Sequence, residues 1–279
     1  MIRTAIAAAA LVAAAPAYGQ DPTGPDLPDV EQAGNSFTIG LGVATTADYE
    51  GADEQKLIPG GFIRGKVGGI SFITRGLSLY VDVISAGTDS IDWDFGPIVG
   101  VRLNRTGDVK DAAVDKLPEL DTAIEVGAFG GVSFKGLTNP YDSLSLRVDY
   151  VTDVGGAHES SIISPSLDFS TPLSQTLFAG ASFGVDFVGD GYADYYFSID
   201  PAGAIASGLP VYDADGGMKS WKVGMLLNQS LSGDLRRGWS LFATGNYSRL
   251  VGDFADSPIV DDRGSASQWF GAIGVGYTF

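Results

Sequence analysis

The stretch TTADYEGADEQK, residues 45–56, gathers four carboxylates around one tyrosine and one glycine. Clustered carboxylates can act as general acids and bases, so this stretch is a candidate site for chemistry. The same composition also suits the tip of a turn between two strands. The segments on either side decide between these two interpretations. The four carboxylates are Asp48, Glu50, Asp53 and Glu54.

Two other segments carry residue types that do chemistry. The histidine in GGAHESS is His158, and a hydrolase would pair it with Ser160 or Ser161 as nucleophile. The Gly155–Gly156 pair before it signals a turn and favours an ordinary loop histidine. DADGG, residues 213–217, resembles the start of a calcium loop but lacks the later acidic ligands that such loops need. The sequence therefore indicates no catalytic residue, no metal site and no cofactor.

The first twenty residues predict export. Arg3 precedes an apolar run from Ala5 to Ala15 and then small residues, which is the pattern of a secretory signal peptide over residues 1–19. The proline-rich, polar residues 20–35 predict a flexible periplasmic segment. No later apolar stretch is long enough for a transmembrane helix. A net charge of -17 argues against a nucleic-acid partner, which would require basic surface.

Apolar and polar residues alternate along most of the remaining chain. In YDSLSLRVDY, for example, Leu144, Leu146 and Val148 alternate with serines and Arg147. A period of two predicts strands with one apolar and one polar face. Most of these segments are 10 to 14 residues long, enough to cross a bilayer when tilted (about 9–11 residues needed), and their polar faces are rich in glycine and serine. The pattern favours a barrel with its apolar face towards lipid over a soluble barrel.

The final segment, QWFGAIGVGYTF, carries the sharpest local signal. Its alternate residues form one apolar face with aromatics towards both ends, which is typical of a membrane-spanning strand. It also resembles the C-terminal strand that outer-membrane proteins present to the barrel assembly machinery. That face is formed by Trp269, Gly271, Ile273, Val275, Tyr277 and Phe279.

These patterns predict an all-β, transmembrane, antiparallel up-and-down β-barrel over residues 36–279. Eleven segments qualify as strands, whereas bacterial barrels use even numbers. We predict twelve strands, with YADYYFSI (residues 192–199) as the twelfth; ten is the alternative, because Pro165 weakens the segment SIISPSLDF. Long loops are expected at 105–119, around 200–217 and at 251–267. The eleven segments are 36–46, 56–67, 69–84, 93–104, 120–134, 141–153, 159–170, 175–188, 218–230, 238–250 and 268–279.

Several short motifs, taken in order, resemble the MltA-interacting protein (MipA/OmpV) family of outer-membrane barrels. The first is the DYEG turn, Asp48–Tyr49–Glu50–Gly51, followed by a strand with Pro59 near its start. The resemblance extends over nearly the whole chain after the signal peptide. The remaining motifs are Gly96–Pro97, Tyr195–Tyr196–Phe197, Gly208–Leu209–Pro210 with Asp213 and Gly216–Gly217, Ser248–Arg249–Leu250, Asp256–Ser257–Pro258–Ile259–Val260 and Gly274–Val275–Gly276–Tyr277–Thr278–Phe279.

The resemblance implies a non-enzymatic protein of the outer membrane that links a lytic transglycosylase to a murein synthase. It also implies contact with outer-membrane lipid and lipopolysaccharide, and it supplies no catalytic residues. DYEG is then a structural or recognition turn: Gly51 relieves backbone strain, Tyr49 lies at the membrane interface and the carboxylates face water. A porin-like diffusion channel and a barrel hydrolase using His158 are the alternatives.

Overall fold

The computed structural model describes residues 35–84 and 90–279. Within these residues the chain forms one closed barrel of twelve strands, each antiparallel to its neighbours in sequence, and β1 pairs with β12 to close it. The predicted signal peptide (1–19) and nearly all of the predicted 20–35 segment lie outside the described residues. The strands are β1 Ser36–Ala47, β2 Gln55–Val67, β3 Ile70–Arg75, β4 Ser78–Asp82, β5 Ile91–Arg102, β6 Ala123–Lys135, β7 Ser143–Asp153, β8 Ser161–Pro172, β9 Leu177–Val188, β10 Gly217–Ser230, β11 Gly238–Leu250 and β12 Ser267–Thr278.

The outer surface of the barrel is apolar and the interior is polar, as the alternation predicts. In β7, Leu146 and Val148 are each 49% exposed on the outer surface, whereas Asp149, the residue after Val148, is buried inside. The registers of β7 with β6 and with β8 keep this parity, because they place inward residues opposite inward residues. This arrangement is that of a barrel standing in lipid. No helix in residues 35–84 or 90–279 has the length and hydropathy required to cross a membrane.

The predicted number of twelve strands is confirmed, but the segment chosen as the twelfth strand was wrong. The segment predicted as one strand over 69–84 is two short strands, β3 and β4. They are joined at Gly76, whose φ of 54° lies in the left-handed region that glycine adopts without strain. The strand predicted at residues 192–199 does not exist.

Residues 192–199 fall largely in a helix, α1 (Asp190–Phe197). Its aromatic and small residues follow helical spacing: Tyr192 with Tyr196, and Ala193 with Phe197, are separated by four residues. All four are buried within the loops at one end of the barrel. The alternation in this short segment was misread, because a run of aromatic residues fits both periods.

The ten-strand alternative is excluded, because β8 crosses the barrel despite Pro165. Val148 of β7 lies opposite Pro165. Paired residues between β8 and β9 are interrupted from Ser164 to Pro165 and resume at Ser166. The proline therefore interrupts the ladder on one side without ending the strand.

The two ends of the barrel differ. Phe37 and Phe279 lie at one end with short connections such as 173–176 and 231–237; we call this the turn end. Longer connections gather at the other end and pack into what we call the cap, defined as residues 48–54, 103–122, 154–160, 189–216 and 251–266. The cap contains a 3-10 turn, Val114–Lys116, and helices α1, α2 (Pro201–Ser207), α3 (Asp253–Asp256) and α4 (Pro258–Asp261).

The main apolar core lies in the cap and the mouth of the barrel. Tyr192, Phe197 and Phe254 pack there with Ile162 and Val188, which line the top of the barrel wall. The positions of the predicted long loops are confirmed, and these loops are folded and partly buried.

Two aromatic rings fill the barrel interior beside β1 and β12. Phe62 and Phe242 stack edge to face with ring centroids 5.2 Å apart. They fit because the inward positions opposite them are glycines: a Cβ added to Gly40 would overlap Phe62, and one added to Gly274 would overlap Phe242. Gly60, also inward, has open space around it.

Replacing Gly40 with alanine is therefore expected to destabilise the barrel by about 1–3 kcal/mol, since overpacking forces the rings from their positions. Gly60→Ala is the matched control and should leave the thermal unfolding midpoint in detergent unchanged. Adding Phe62→Leu to Gly40→Ala should restore part of the loss. Equal midpoints for the two alanine variants would contradict this packing.

Candidate functional site in the cap

The DYEG turn connects β1 to β2 at the cap end, and its side chains are buried. Asp48, Tyr49 and Glu50 are 3%, 1% and 8% exposed. The expectations that the carboxylates of DYEG face water and that Tyr49 lies at the membrane interface are therefore wrong, whereas Asp53, two residues after DYEG, is exposed. The carboxylates of Asp48 and Glu50 and the ring of Tyr49 turn into the cap. There they form ion pairs or hydrogen bonds with residues of other segments.

Asp48 joins the turn to the loop between β5 and β6. Lys56 Nζ lies 2.9 Å from Asp48 Oδ1, and the backbone N–H of Lys110 donates to Oδ2 at 2.7 Å. Lys110 Nζ also donates to the carbonyl of Gln55 at 2.7 Å. This single carboxylate thus holds the start of β2 and the loop 103–122 together.

Glu50 joins the turn to α1 and to β10. Lys219 Nζ donates to Oε1 at 2.7 Å, and the hydroxyl of Tyr192 donates to Oε2 at 2.7 Å. The backbone N–H of Glu50 donates to Oδ1 of Asn104 at 3.0 Å. Both carboxylate oxygens therefore have partners, which is what a buried charge requires.

A β-bulge places Lys219 beside Glu50. Met218 pairs with Phe187 and Ser220 pairs with Asp186, so Lys219 is an extra residue in β10. The bulge turns consecutive residues inward, and Lys219 is 1% exposed as a result. Deeper in the barrel, Lys222 Nζ contacts both oxygens of Asp186 at 2.7 and 2.9 Å.

Tyr49 and Gly51 fix the turn against α4. The Tyr49 hydroxyl donates to the carbonyl of Ile259 at 2.9 Å. Burial, and then the negative charge of Asp111, raises the pKa of this hydroxyl. Gly51 has a φ of 101°, and an added Cβ would lie 2.5 Å from Cγ2 of Val260. The turn geometry thus requires glycine at this position.

Pro59 lies where β2 loses its second neighbour. Residue pairs between β2 and β3 run only from Arg64 to Val67, so the half of β2 nearer the cap pairs only with β1 among the described strands. The N–H of Ile63 faces β3, since it donates to Thr74 Oγ1. Pro59 has the same parity, so its nitrogen faces the unpaired edge and no hydrogen bond to β1 is lost. Proline there also discourages another strand from pairing with this edge.

His158 lies in the loop between β7 and β8, as predicted, but it is buried and fully engaged. Its Nε2 lies 3.3 Å from Glu125 Oε1, and Nδ1 accepts from the N–H of Ser160 at 3.3 Å. Glu125 in turn accepts from Arg102 Nε at 2.7 Å. Neither ring nitrogen faces a serine hydroxyl, so the geometry does not form the nucleophile–base pair that a hydrolase needs.

Within the described residues no group of three or more histidine and acidic side chains is arranged to hold a metal ion. The carboxylates at 213–217 border the start of β10, where Gly217 has a φ of 142°. The segment is a glycine-dependent entry into a strand.

The face of β12 predicted as an assembly signal lies on the outer surface. Trp269 and Ile273 are each 62% exposed, Val275 is 42% and Phe279 is 67% exposed, and Tyr277 is half-buried against Trp239. β12 pairs with β11 and β1, so this strand closes the barrel. Recognition of this face by the assembly machinery stays a prediction.

The pairing partners inside the barrel were missed from the sequence. Alternation places Glu125, Asp186 and Lys222 on inward faces, and this signal was present. Which charge meets which depends on the register of strands distant in sequence and, for Lys219, on a bulge that alternation cannot reveal.

Residues 39–279 match the family described as MltA-interacting protein MipA. The chain belongs to this family. Two relatives, both called MltA-interacting protein, come from Escherichia coli (strain K12) and Shigella flexneri. Each is 31% identical over 96 residues, covering 34% of this chain and 35% of the relative, so the match spans about a third of their length.

Two solved barrels are similar at low identity. The COG4313 outer membrane channel from Pseudomonas putida F1 aligns with a TM-score of 0.49 and 9% identity, covering 93% of this chain and 99% of the channel. The translocator domain of the autotransporter NalP from Neisseria meningitidis aligns with a TM-score of 0.39 and 16% identity, covering 87% of each chain.

The apolar outer surface and the family together make the chain an outer-membrane β-barrel protein. Within this barrel, the DYEG turn is the point where β1, β2, β10 and α1 are held together.

Breaking the Glu50–Lys219 pair on one side should loosen the cap. Glu50→Gln leaves Lys219 buried with Asp186 at 3.9 Å as its remaining carboxylate, and the expected cost is about 3–5 kcal/mol. We expect a lower unfolding midpoint in detergent and faster protease cleavage within residues 189–216. The double variant Glu50→Gln/Lys219→Met should be more stable than Glu50→Gln alone.

The control is Arg236→Gln, which removes an exposed ion pair with Asp234 in the turn between β10 and β11. It should change neither the midpoint nor the cleavage rate. If Glu50→Gln behaves like this control, the pair does not hold the cap.

Proposed function

We propose that this protein is a non-enzymatic scaffold of the outer membrane that binds a murein-remodelling enzyme. Family membership carries the proposal: the curated relatives are named for interaction with MltA. The partner class is a lytic transglycosylase, with a murein synthase as the second partner. Outer-membrane lipid, lipopolysaccharide and the barrel assembly machinery complete the proposed set of partners.

The turn end is the proposed partner surface. Outer-membrane barrels place short turns in the periplasm and longer loops outside, so the cap faces outwards and the turn end faces the murein. Apolar side chains are exposed in the turn-end connections, among them Tyr141 at 77% and Leu173 at 59%. The DYEG turn is buried at the opposite end and does not serve as the partner surface in this proposal.

The absence of catalysis is part of the proposal. His158 is 2% exposed and both ring nitrogens are engaged within the cap, which supports a structural role. His158→Ala should leave lipid and peptide hydrolysis at the level measured for the wild-type protein. A loss of hydrolysis in this variant would favour the hydrolase.

A porin-like diffusion channel is the second candidate, favoured by the polar inward faces. Against it, Lys222 is paired with Asp186, Arg102 is paired with Glu125, and Phe62 stacks on Phe242 within the barrel. We therefore expect no single-channel steps in planar bilayers. Regular conductance steps would favour the diffusion channel over the scaffold.

The scaffold is tested by affinity capture from detergent-solubilised native envelopes. An affinity tag inserted after Ile205, which is 88% exposed on α2, leaves the turn end and β12 untouched. We expect enrichment of a lytic transglycosylase or a penicillin-binding protein over an unrelated tagged barrel. Recovery should fall severalfold in Tyr141→Ser/Leu173→Ser.

The matched control is Val211→Ser, which removes a 59% exposed apolar side chain from the cap and should leave recovery unchanged. No enrichment over the unrelated barrel would contradict the scaffold. Enrichment that survives the Tyr141→Ser/Leu173→Ser change would contradict only the choice of surface.

A further inference from the structure

Arg105 is a buried arginine in the cap, within the loop that joins β5 to β6. It is 6% exposed, and its φ of 52° lies in the left-handed region that residues other than glycine seldom adopt. The carbonyl of Arg105 accepts from the N–H of Leu120 at 3.0 Å, which holds the loop in this shape. Backbone strain of this kind persists where surrounding structure enforces it, and it concentrates at functional positions.

The guanidinium of Arg105 has donors without acceptors. Its Nε and Nη1 atoms are buried, and neither has a hydrogen-bond partner among the described residues. Burial lowers the pKa of Arg105 to about 10. The neighbouring Arg102 differs, because Glu125 holds it with contacts of 2.7 and 3.2 Å. A buried cation without a counter-charge is strongly unfavourable, so the Arg105 guanidinium requires a negatively charged partner.

Three buried carboxylates of the cap and the barrel mouth are held by other groups. Glu50 is held by Lys219 and Tyr192, and Glu125 by Arg102. Asp111 lies 2.6 Å from Nη2 of Arg263. The charge of Arg105 is thus not balanced by any of these three groups.

A tyrosine beside Arg105 adds a third donor. The side chains of Tyr49, Tyr195 and Tyr196 lie near Arg105 and partly offset the effect of burial on its pKa. Tyr49 donates to a carbonyl and Tyr195 accepts from the N–H of Asp121 at 2.7 Å. The Tyr196 hydroxyl is buried and has no hydrogen-bond partner among the described residues.

We propose that Arg105 and Tyr196 form an anion-binding site inside the cap, which takes the carboxylate or phosphate group of a small ligand. Such groups carry negative charge and several acceptor oxygens. Acceptors are what these three donors lack, and a guanidinium matches the anion in shape and charge. The site lies close to the surface, because Thr106 and Gly107 are half-buried and Asp108 is exposed. It is independent of the scaffold function, since it lies at the end opposite the proposed partner surface.

The test uses the purified full-length protein in detergent, titrated with sodium phosphate or sodium acetate at constant ionic strength. The apparent unfolding temperature of the wild-type protein should rise saturably, by about 5 °C at 100 times Kd. Comparing acetate with phosphate identifies the preferred group. A rise that is linear in concentration and equal for all variants would mean a nonspecific salt effect and overturn the site.

Arg105→Met supplies the sharpest comparison. It should abolish the anion-dependent rise and, in anion-free buffer, raise the unfolding temperature, because an uncompensated buried charge has been replaced by an apolar chain. A lower temperature without anion, or an unchanged anion response, would overturn the proposal. Arg237→Met, at an exposed turn-end arginine, is the matched control and should respond like wild type.

Tyr196→Phe keeps the ring and removes the hydroxyl. It should weaken phosphate binding about tenfold, measured by calorimetry, while the protein stays folded. If Arg105→Met fails to fold, this variant decides: unchanged phosphate affinity overturns the site.

Discussion

A buried lysine that must be neutralised ties the cap to the barrel. The bulge in β10 turns Lys219 into the interior, where an isolated ammonium would be strongly unfavourable. Glu50 meets it at 2.7 Å and is itself held by Tyr192 of α1. One carboxylate thus fixes the β1–β2 turn, the strand β10 three positions around the barrel from β1, and the first helix of the cap. The remaining loops pack on this frame through Tyr49, Phe254 and their neighbours.

The same rule orders the interior of the barrel. Several charges that alternation turns inward are matched in pairs, among them Lys222 with Asp186 and Arg102 with Glu125. A polar interior is therefore compatible with tight packing, and the inward glycines leave the volume that Phe62 and Phe242 fill. Arg105 departs from this rule, since no described residue accepts from its buried Nε and Nη1 atoms, which is why it points to a ligand.

The cap and the turn end differ in structure. Buried helices and paired charges make the cap a folded unit, whereas short turns with exposed apolar side chains form the opposite end. The proposed scaffold function uses the exposed apolar side chains of the turn end, and the cap lies at the opposite end of the barrel.

The strands were predictable because a barrel wall standing in lipid imposes alternation on every residue, as in β7 and β12. The number of strands was predicted correctly from a wrong assignment of segments. Nothing in the local sequence distinguishes one bent strand over 69–84 from two short strands joined at Gly76. Loop structure was not predictable: Tyr192 and Tyr196 become helical because they pack beneath distant loops. The prediction that the DYEG carboxylates face water was wrong for the same reason. Their burial depends on Lys219 and Lys56, and the sequence does not show that these lysines lie beside them.

The central claim, that the cap is a folded unit anchored to the barrel, is tested most directly by hydrogen–deuterium exchange of the wild-type protein in lipid nanodiscs. Amides in α1 (Asp190–Phe197) should exchange slowly, approaching the rates of β9 and β10, because their opening requires the cap to detach. Exchange of α1 as fast as that of the exposed turn at 231–237 would show a mobile loop and contradict the account.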